Sequence, residues 1–319
     1  MAAEFSLRET YGKTLVELGK EMPQIVVLDA DLSHSTMTMY FGKEFPDRFF
    51  NCGIAEQNMV SIAAGLAASG KVAFMSTFAV FAPGRCFDQL RISVAQPGYN
   101  VKVVSTHGGI SVGEDGISHQ AIEDIALICS LPGFTVIVPA DANETSQVIR
   151  AAARTNGPFY IRLPRPKLPQ VYPQDYQFTV GKAAMLKPGS NATIFATGIM
   201  VTSALVAAAN LKAQGIDCRM YSVSTLKPID EAAVLSAARE TGAIVTAEEH
   251  LEHGGLGSTI ARVLSTKCPV PLELVGIKDT YAQSGKPEQL LERYGLSPAA
   301  IEQAVKAVIQ RKKAGTCLP

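Results

Sequence analysis

Charge of one sign is the first thing this chain lacks: 29 Lys and Arg face 29 Asp and Glu over 319 residues, so the formal net charge is zero. That balance removes the main reason to expect nucleic acid or an anionic membrane as a partner. No apolar run approaches the roughly 18–20 residues needed to span a bilayer. The N-terminus has neither the basic start nor the apolar stretch of a signal peptide. A soluble cytoplasmic protein is expected. The six cysteines, at 52, 86, 129, 218, 268 and 317, include no CxxC pair. Zinc-ligand spacing is therefore absent, no metal site is expected on this chain, and a chain of this size needs no disulfide staples. There is no internal repeat and no low-complexity tract. What remains, 47% hydrophobic and 18% charged residues, describes a globular protein of about two domains.

Short apolar runs alternate with helix-length segments along the chain. Strands are expected at 25–30, 72–77, 101–106, 134–140, 159–163, 192–198, 218–224, 243–249 and 271–277. Helices are expected at 8–21, 58–69, 120–130, 142–155, 200–214 and 297–313. The strand runs are continuous rather than alternating, which suits strands covered on both faces. The fold class is α/β, with two domains, each a mostly parallel, helix-covered sheet. Between Arg162 and Pro173 there are four prolines in twelve residues, too many for a helix interior or a central strand. An extended Pro-rich linker (166–177) is expected to join domains 1–165 and 178–319.

Functional side chains crowd into the first domain at strand ends, where open α/β sheets bind ligands. In Cys52-Gly-Ile-Ala-Glu56-Gln-Asn-Met59, Glu56 opens a helix whose Met59, Ile62, Ala63 and Leu66 repeat with helical spacing. The acid suits the positive end of the helix dipole whether or not it has another task. Phe78, Phe81 and Phe87 sit in STFAVFAPGRCFDQ, either as a stacking platform for a flat ring or as core. The loop from Thr106 to Gln120 has four glycines in the eleven residues 106–116, with His107, Asp115 and His119. It can approach a ligand by its backbone while its side chains move protons. Arg8, Ser35 and Arg165 lie where they can meet this loop, and arginine suits bidentate phosphate binding.

Taken together, the runs GIAEQNMVSIAAG, STFAVFAPGRCFDQLR, THGGISVGEDGISHQAIED, PADANE and TAEEHLEHGGLGS resemble the transketolase family of thiamine-diphosphate enzymes. The likeness is to its pyrimidine-binding and C-terminal domains and covers essentially the whole chain. The resemblance implies that Glu56 hydrogen-bonds a ring nitrogen of the cofactor's aminopyrimidine, a task for a buried carboxyl that can share a proton. It also implies that Phe78, Phe81 and Phe87 stack around the pyrimidine and that Asp31 lies beside the thiazolium. His107, Arg8, Ser35 and Arg165 match positions that hold a sugar phosphate, Asp115 one that recognises a substrate hydroxyl, and His119 one near the reacting carbonyl. The loop before Arg85 is one residue longer than in similar transketolases, so Phe78 and Phe81 are better matched than Arg85, Phe87 or Gln89. The implied reaction is reversible transfer of a two-carbon ketol unit from a ketose phosphate to an aldose phosphate.

One part of the family pattern is missing. The GDG motif and the Asn pair of the diphosphate-binding domain, which hold the cofactor's Mg²⁺ or Ca²⁺, do not occur. The resemblance therefore implies the C-terminal subunit of a split transketolase, whose N-terminal partner subunit carries the metal and diphosphate site in an α₂β₂ heterotetramer. Two alternatives stand beside this reading. One is the beta subunit of a thiamine-diphosphate-dependent 2-oxoacid dehydrogenase, and the other is a non-catalytic paralogue that binds or regulates a transketolase. The C-terminal domain is expected to support association, with His250, His253 and the Gly254-Gly255 pair making a turn into a helix.

Overall fold

A computed structural model describes residues 3–315 and contains two large sheets with helices on their faces, beside one two-stranded sheet. The larger sheet has seven strands, in the order Thr225–Lys227, Thr135–Ile137, Phe159–Arg162, Val101–Thr106, Val72–Phe78, Ile25–Asp29, Phe49–Asn51. All pairings are parallel except that of Thr225–Lys227 with Thr135–Ile137. Every residue of Ile25–Asp29 and of Val72–Phe78 is buried, as continuous apolar runs require when helices cover both faces. The smaller sheet runs Leu272–Ile277, Ile244–Leu251, Ala192–Ala196, Cys218–Ser222, Ala184–Lys187, with the last strand antiparallel. Among the described residues no helix is long and apolar enough to cross a membrane. Cys52, Cys86, Cys129, Cys218 and Cys268 are free thiols, and Cys317 lies outside the described residues.

The two domains share structure. Thr225–Lys227, from the C-terminal part of the chain, completes the edge of the first sheet. One apolar cluster runs without a break from Met59, Met75 and Val103 to Leu226, Val234 and Ile260. Each fully buried Leu, Ile or Met in it contributes about 1.5–3 kcal/mol, so the joint between the domains is cored rather than hinged.

Several expected elements shift. The helix expected at 120–130 begins only at Asp124 and ends at Cys129. The backbone just before it is engaged elsewhere: the Ala121 carbonyl accepts from Gly109 N (2.8 Å) and the Ile122 carbonyl from Leu251 N (2.9 Å). Helix Glu56–Ala68 buries Met59, Val60, Ala63, Ala64 and Ala67, whereas Ile62 is exposed. Its inward face is an alanine strip that lets the helix approach the sheet closely, so the expected stripe through Ile62 is displaced.

The Pro-rich segment is extended but held down. Leu168–Pro169 pairs with Glu4–Phe5, and buried Tyr172 stacks on Tyr176 with centroids 3.9 Å apart. Asp141 in the PADANE run organises it. Its Oδ1 caps helix Ala142–Arg154 by accepting from Glu144 N at 2.8 Å, while Oδ2 accepts from Val171 N and Tyr172 N, each at 2.8 Å. Removing this side chain loses a cap and leaves two backbone donors unpaired. Asp141→Ala should therefore lower unfolding stability by about 3 kcal/mol in a urea titration. A loss below about 0.5 kcal/mol, typical of a neutral surface change, would contradict this account.

Candidate active site

The functional side chains gather at the carboxyl ends of the parallel strands of the first sheet. Phe78 ends strand Val72–Phe78 and His107 follows Val101–Thr106. Asp31 and Ser35 follow Ile25–Asp29, and Arg165 follows Phe159–Arg162. The two strand-end turns are backbone-strained, because Asp31 and His107 both have positive φ (63° and 61°), a conformation that L residues adopt only when their surroundings enforce it.

Four rings form the centre. Phe78 and Phe81 are nearly parallel with centroids 5.8 Å apart. The His107 ring lies 3.9 Å from Phe78, and His119 meets Phe81 edge-on at 5.4 Å. Glu56, buried at the first turn of its helix, is reached from the other side by Arg85, whose Nη1 stands 2.9 Å from Glu56 Oε1. The same guanidinium lies over the Phe81 ring at 3.9 Å. A cleft of about 370 Å³ opens here, lined by Ile54, Glu56, Asn58 and Arg85 among others.

Beside the rings lies a cationic group. Arg8 donates to the Ser35 carbonyl at 2.6 Å and to the Arg165 carbonyl at 3.3 Å, while its Nε is buried without a partner. Arg165 faces Glu114 and Asp115, each at 3.7 Å. A buried, unpartnered N–H next to a second arginine is the donor set an anionic oxygen would satisfy. The structure thus brings Arg8, Ser35, Arg165, His107 and Asp115 into one neighbourhood and Glu56, Phe78, Phe81 and His119 into the adjoining one. Asp31 is exposed and exchanges two hydrogen bonds with Asn51. Phe87 is not brought to the ring group: it is half-buried against the apolar cluster of the first sheet. Pro83 helps start helix Ala82–Gln89, which presents Arg85 to Glu56 and turns Phe87 towards the core. Among the described residues there is no cluster of three or more His, Cys, Asp or Glu to hold a metal ion.

Two residues here were missed by sequence reasoning. Arg85, set aside for its uncertain register, partners the buried acid. Asp29, buried at the end of its strand, accepts from Leu32 N, Thr36 Oγ1 and Thr38 Oγ1 at 2.6–2.8 Å and so shapes the turn that carries Asp31 and Ser35. Burial pushes the Asp29 carboxyl up and these three bonds pull it back. The acid pair Asp29 and Asp31 was a readable signal, but nothing in the sequence separates the structural member from the exposed one.

The α/β fold sets together a buried acid at a helix start, an aromatic wall, and one arginine on the first helix beside another after a strand. It thus presents groups suited to a flat ring beside an anion. Comparison with known proteins narrows this. The transketolase pyrimidine-binding domain matches residues 3–170 and the transketolase C-terminal domain residues 181–301. A putative transketolase C-terminal section from Methanocaldococcus jannaschii is 44% identical over 96% of this chain and 97% of its own length. A solved split-gene transketolase, described as an inactive β4 tetramer, is 51% identical with TM-score 0.91, covering 97% of this chain and 99% of its own. Rat transketolase is 38% identical over 97% of this chain, which spans 50% of the rat protein. This chain belongs to the transketolase family and comprises its pyrimidine-binding and C-terminal domains.

His107 supplies a pH test. Burial, reinforced by the charges of Arg8, Arg165 and His119, pushes its pKa down to about 3, so the ring is neutral throughout the physiological range. Unfolded histidine titrates near 6.5, so between about 6.5 and 3 the unfolded chain binds the extra proton, and stability falls as pH drops through that window. The His107 ring proton shift in NMR should stay flat from pH 5 to 8. Wild type and His107→Gln should diverge in unfolding stability below pH 6.5, with the wild type losing more. A midpoint near 6.5 for this ring would refute its assigned environment.

Proposed function

We propose that this chain is the pyrimidine-binding subunit of a two-chain transketolase, transferring a two-carbon ketol unit between sugar phosphates only when joined to a diphosphate-binding partner. The observation that carries the reading is the pairing of buried Glu56 and the Phe78–Phe81 wall with the Arg8–Arg165 cluster, all at the ends of one sheet. The residues fit half of thiamine diphosphate. A buried carboxyl and two stacked rings suit an aminopyrimidine, whereas the described residues offer no carboxylate cluster for the Mg²⁺ or Ca²⁺ on its diphosphate. The partner chain is assigned that metal. The full-length similarity to a transketolase C-terminal section and to a split-gene transketolase described as an inactive β4 tetramer supports the two-chain reading, and an α₂β₂ assembly is the simplest closed form. The matched relatives also favour a transketolase over a 2-oxoacid dehydrogenase subunit.

Thiamine diphosphate, when bound, supplies the carbon nucleophile for cleaving and re-forming the ketose C–C bond. Glu56 holds a proton at the ring nitrogen of the aminopyrimidine, a role that needs a carboxyl shielded from water. In this structure the buried Glu56 Oε1 is met by Arg85, whose own side chain is about half exposed and can swing out into water. Phe78 and Phe81 fix the plane of the ring. His107, neutral and adjacent to Phe78, offers a hydrogen bond to a substrate oxygen without adding charge, while Asp115 and His119 bind hydroxyl and carbonyl oxygens. Arg8 and Arg165 hold the phosphate, with Ser35 alongside.

Reconstitution with a diphosphate-binding chain, xylulose 5-phosphate and ribose 5-phosphate tests this reading. Glu56→Ala should cut kcat at least about 100-fold, the lower range for losing a placed proton-transfer group. Arg165→Ala should raise KM for the phosphorylated donor about tenfold while leaving thiamine diphosphate affinity unchanged. Full activity of the Glu56 variant, or turnover by this chain without a partner, would overturn the proposal.

A further inference from the structure

The TAEEHLEHGGLGS run is absorbed by none of the roles above, yet strand Ile244–Leu251 buries Glu248, Glu249 and His250 completely or nearly so. Glu248 serves a local end, and His250 ties its strand to the backbone of helix Asp124–Cys129 in the first domain. Glu248 accepts from Leu256 N and Gly257 N at 2.7 and 2.8 Å, which pins the start of helix Leu256–Lys267. His250 Nδ1 lies 2.7 Å from the Leu251 carbonyl, and its Nε2 accepts from Ala126 N. The Glu249 carboxylate also crosses into the first domain, where Oε1 accepts from Ser111 N at 2.6 Å, and Oε2 has no partner.

Ser111 belongs to the loop that begins with His107 and ends at Asp115. The loop stands on side chains of the domain joint. A Cβ placed at Gly109 would lie 2.1 Å from Glu249 Cδ, and one at Gly108 2.4 Å from Arg162 Nε. Only glycines let the backbone sit this low. Gly109 has φ +84°, which glycine adopts freely, but His107 holds φ +61°, a conformation that its surroundings must impose. The Arg162 guanidinium offsets part of the cost of burying this carboxylate, but burial still pushes it up, so keeping an acid here is costly. A purely mechanical joint would be served as well by an apolar side chain.

We propose that Glu249 is a positioning residue for the active-site loop: through its bond to Ser111 N, the C-terminal domain sets where His107 and Asp115 present themselves to substrate. The inference rests on the proposed function for its catalytic consequence but not for its structural core. Two conservative variants separate positioning from charge pairing. Glu249→Gln keeps an acceptor at the same reach and loses the charge. Glu249→Asp keeps the charge but is one methylene too short for Ser111 N.

In the reconstituted complex, Glu249→Asp should lower kcat/KM for xylulose 5-phosphate at least about tenfold, while Glu249→Gln stays within about threefold of wild type. Thiamine diphosphate affinity should change less than about twofold in either variant, since Glu56 and its helix are untouched. Amide exchange of the full chain alone provides the second measurement. Glu249→Asp should speed exchange at residues 107–116 about tenfold, with helix Glu56–Ala68 unchanged. The opposite ranking of the two variants, or exchange raised equally across both domains, would make Glu249 a joint residue only and overturn the proposal. Because exchange needs no turnover, a wild-type complex without ketol transfer would defeat the functional reading while the loop assignment is still decided by exchange.

Discussion

The buried guanidinium of Arg162 is the contact on which the arrangement of the two domains and the site depends. Its Nε donates to Asp124 Oδ2 at 2.9 Å, and its Nη2 donates to the carbonyls of Ala121 and Glu249, both at 3.0 Å. Tyr160 adds a bond to the same Asp124 oxygen at 2.7 Å. One side chain thereby ties the end of strand Phe159–Arg162 to the segment after the glycine loop and to the C-terminal sheet. Burying an arginine is tolerable only because its donors are met and a carboxylate faces it; removing either partner would strand the other in the core. The glycine at 108 packs directly against this guanidinium, so the floor of the loop and the joint between domains are the same few atoms.

The electrostatics of the site follow from where charges are left unmatched. Arg8 and Arg165 stand close together with only half-exposed acids facing Arg165, so their field is only partly cancelled. That field, added to burial, keeps His107 neutral. The same two charges that suit an anion thus deny a proton to the nearest imidazole, and the ring beside Phe78 remains able to accept as well as donate a hydrogen bond. Glu56 meets a different cation, Arg85, which also lies over the Phe81 ring.

Much of this was legible in the sequence. Apolar runs located the central strands of both sheets because strands covered on both faces leave an unbroken hydrophobic signal. Phe78, Phe81, His107 and Arg165 fall at or just after their ends, whereas Glu56 follows the edge strand Phe49–Asn51, which no expected strand covers. The short edge strand Thr225–Lys227 was not legible. It consists of three residues, and its partner Thr135–Ile137 lies some ninety positions earlier in the chain, so only the folded domains create it. Nor could spacing show that the alanines of helix Glu56–Ala68, and not Ile62, face inward, since both stripes have helical period. The prolines announced an extended segment but not its anchoring by Asp141. EEH announced polar residues in an apolar strand but could not say which carboxylate leaves its own domain, because strand alternation places Glu249 opposite Glu248 without naming what lies on either side.

The ion pairs of this chain fall into two kinds, and the division matches what must hold still and what must yield. Arg162 and Asp124 are both nearly fully buried, where water cannot compete and rearrangement would expose an unpaired charge to the core. Arg165 and Asp115 are each nearly 40% exposed, and such a pair is worth at most about 1 kcal/mol, whereas a half-exposed Arg85 meets a buried Glu56. A group that offers Arg85 or Arg165 a comparable bond would compete with these contacts more readily than with the Arg162–Asp124 pair. The joint behind the loop is therefore held by a buried pair, while the arginines in front of it remain partly open to water.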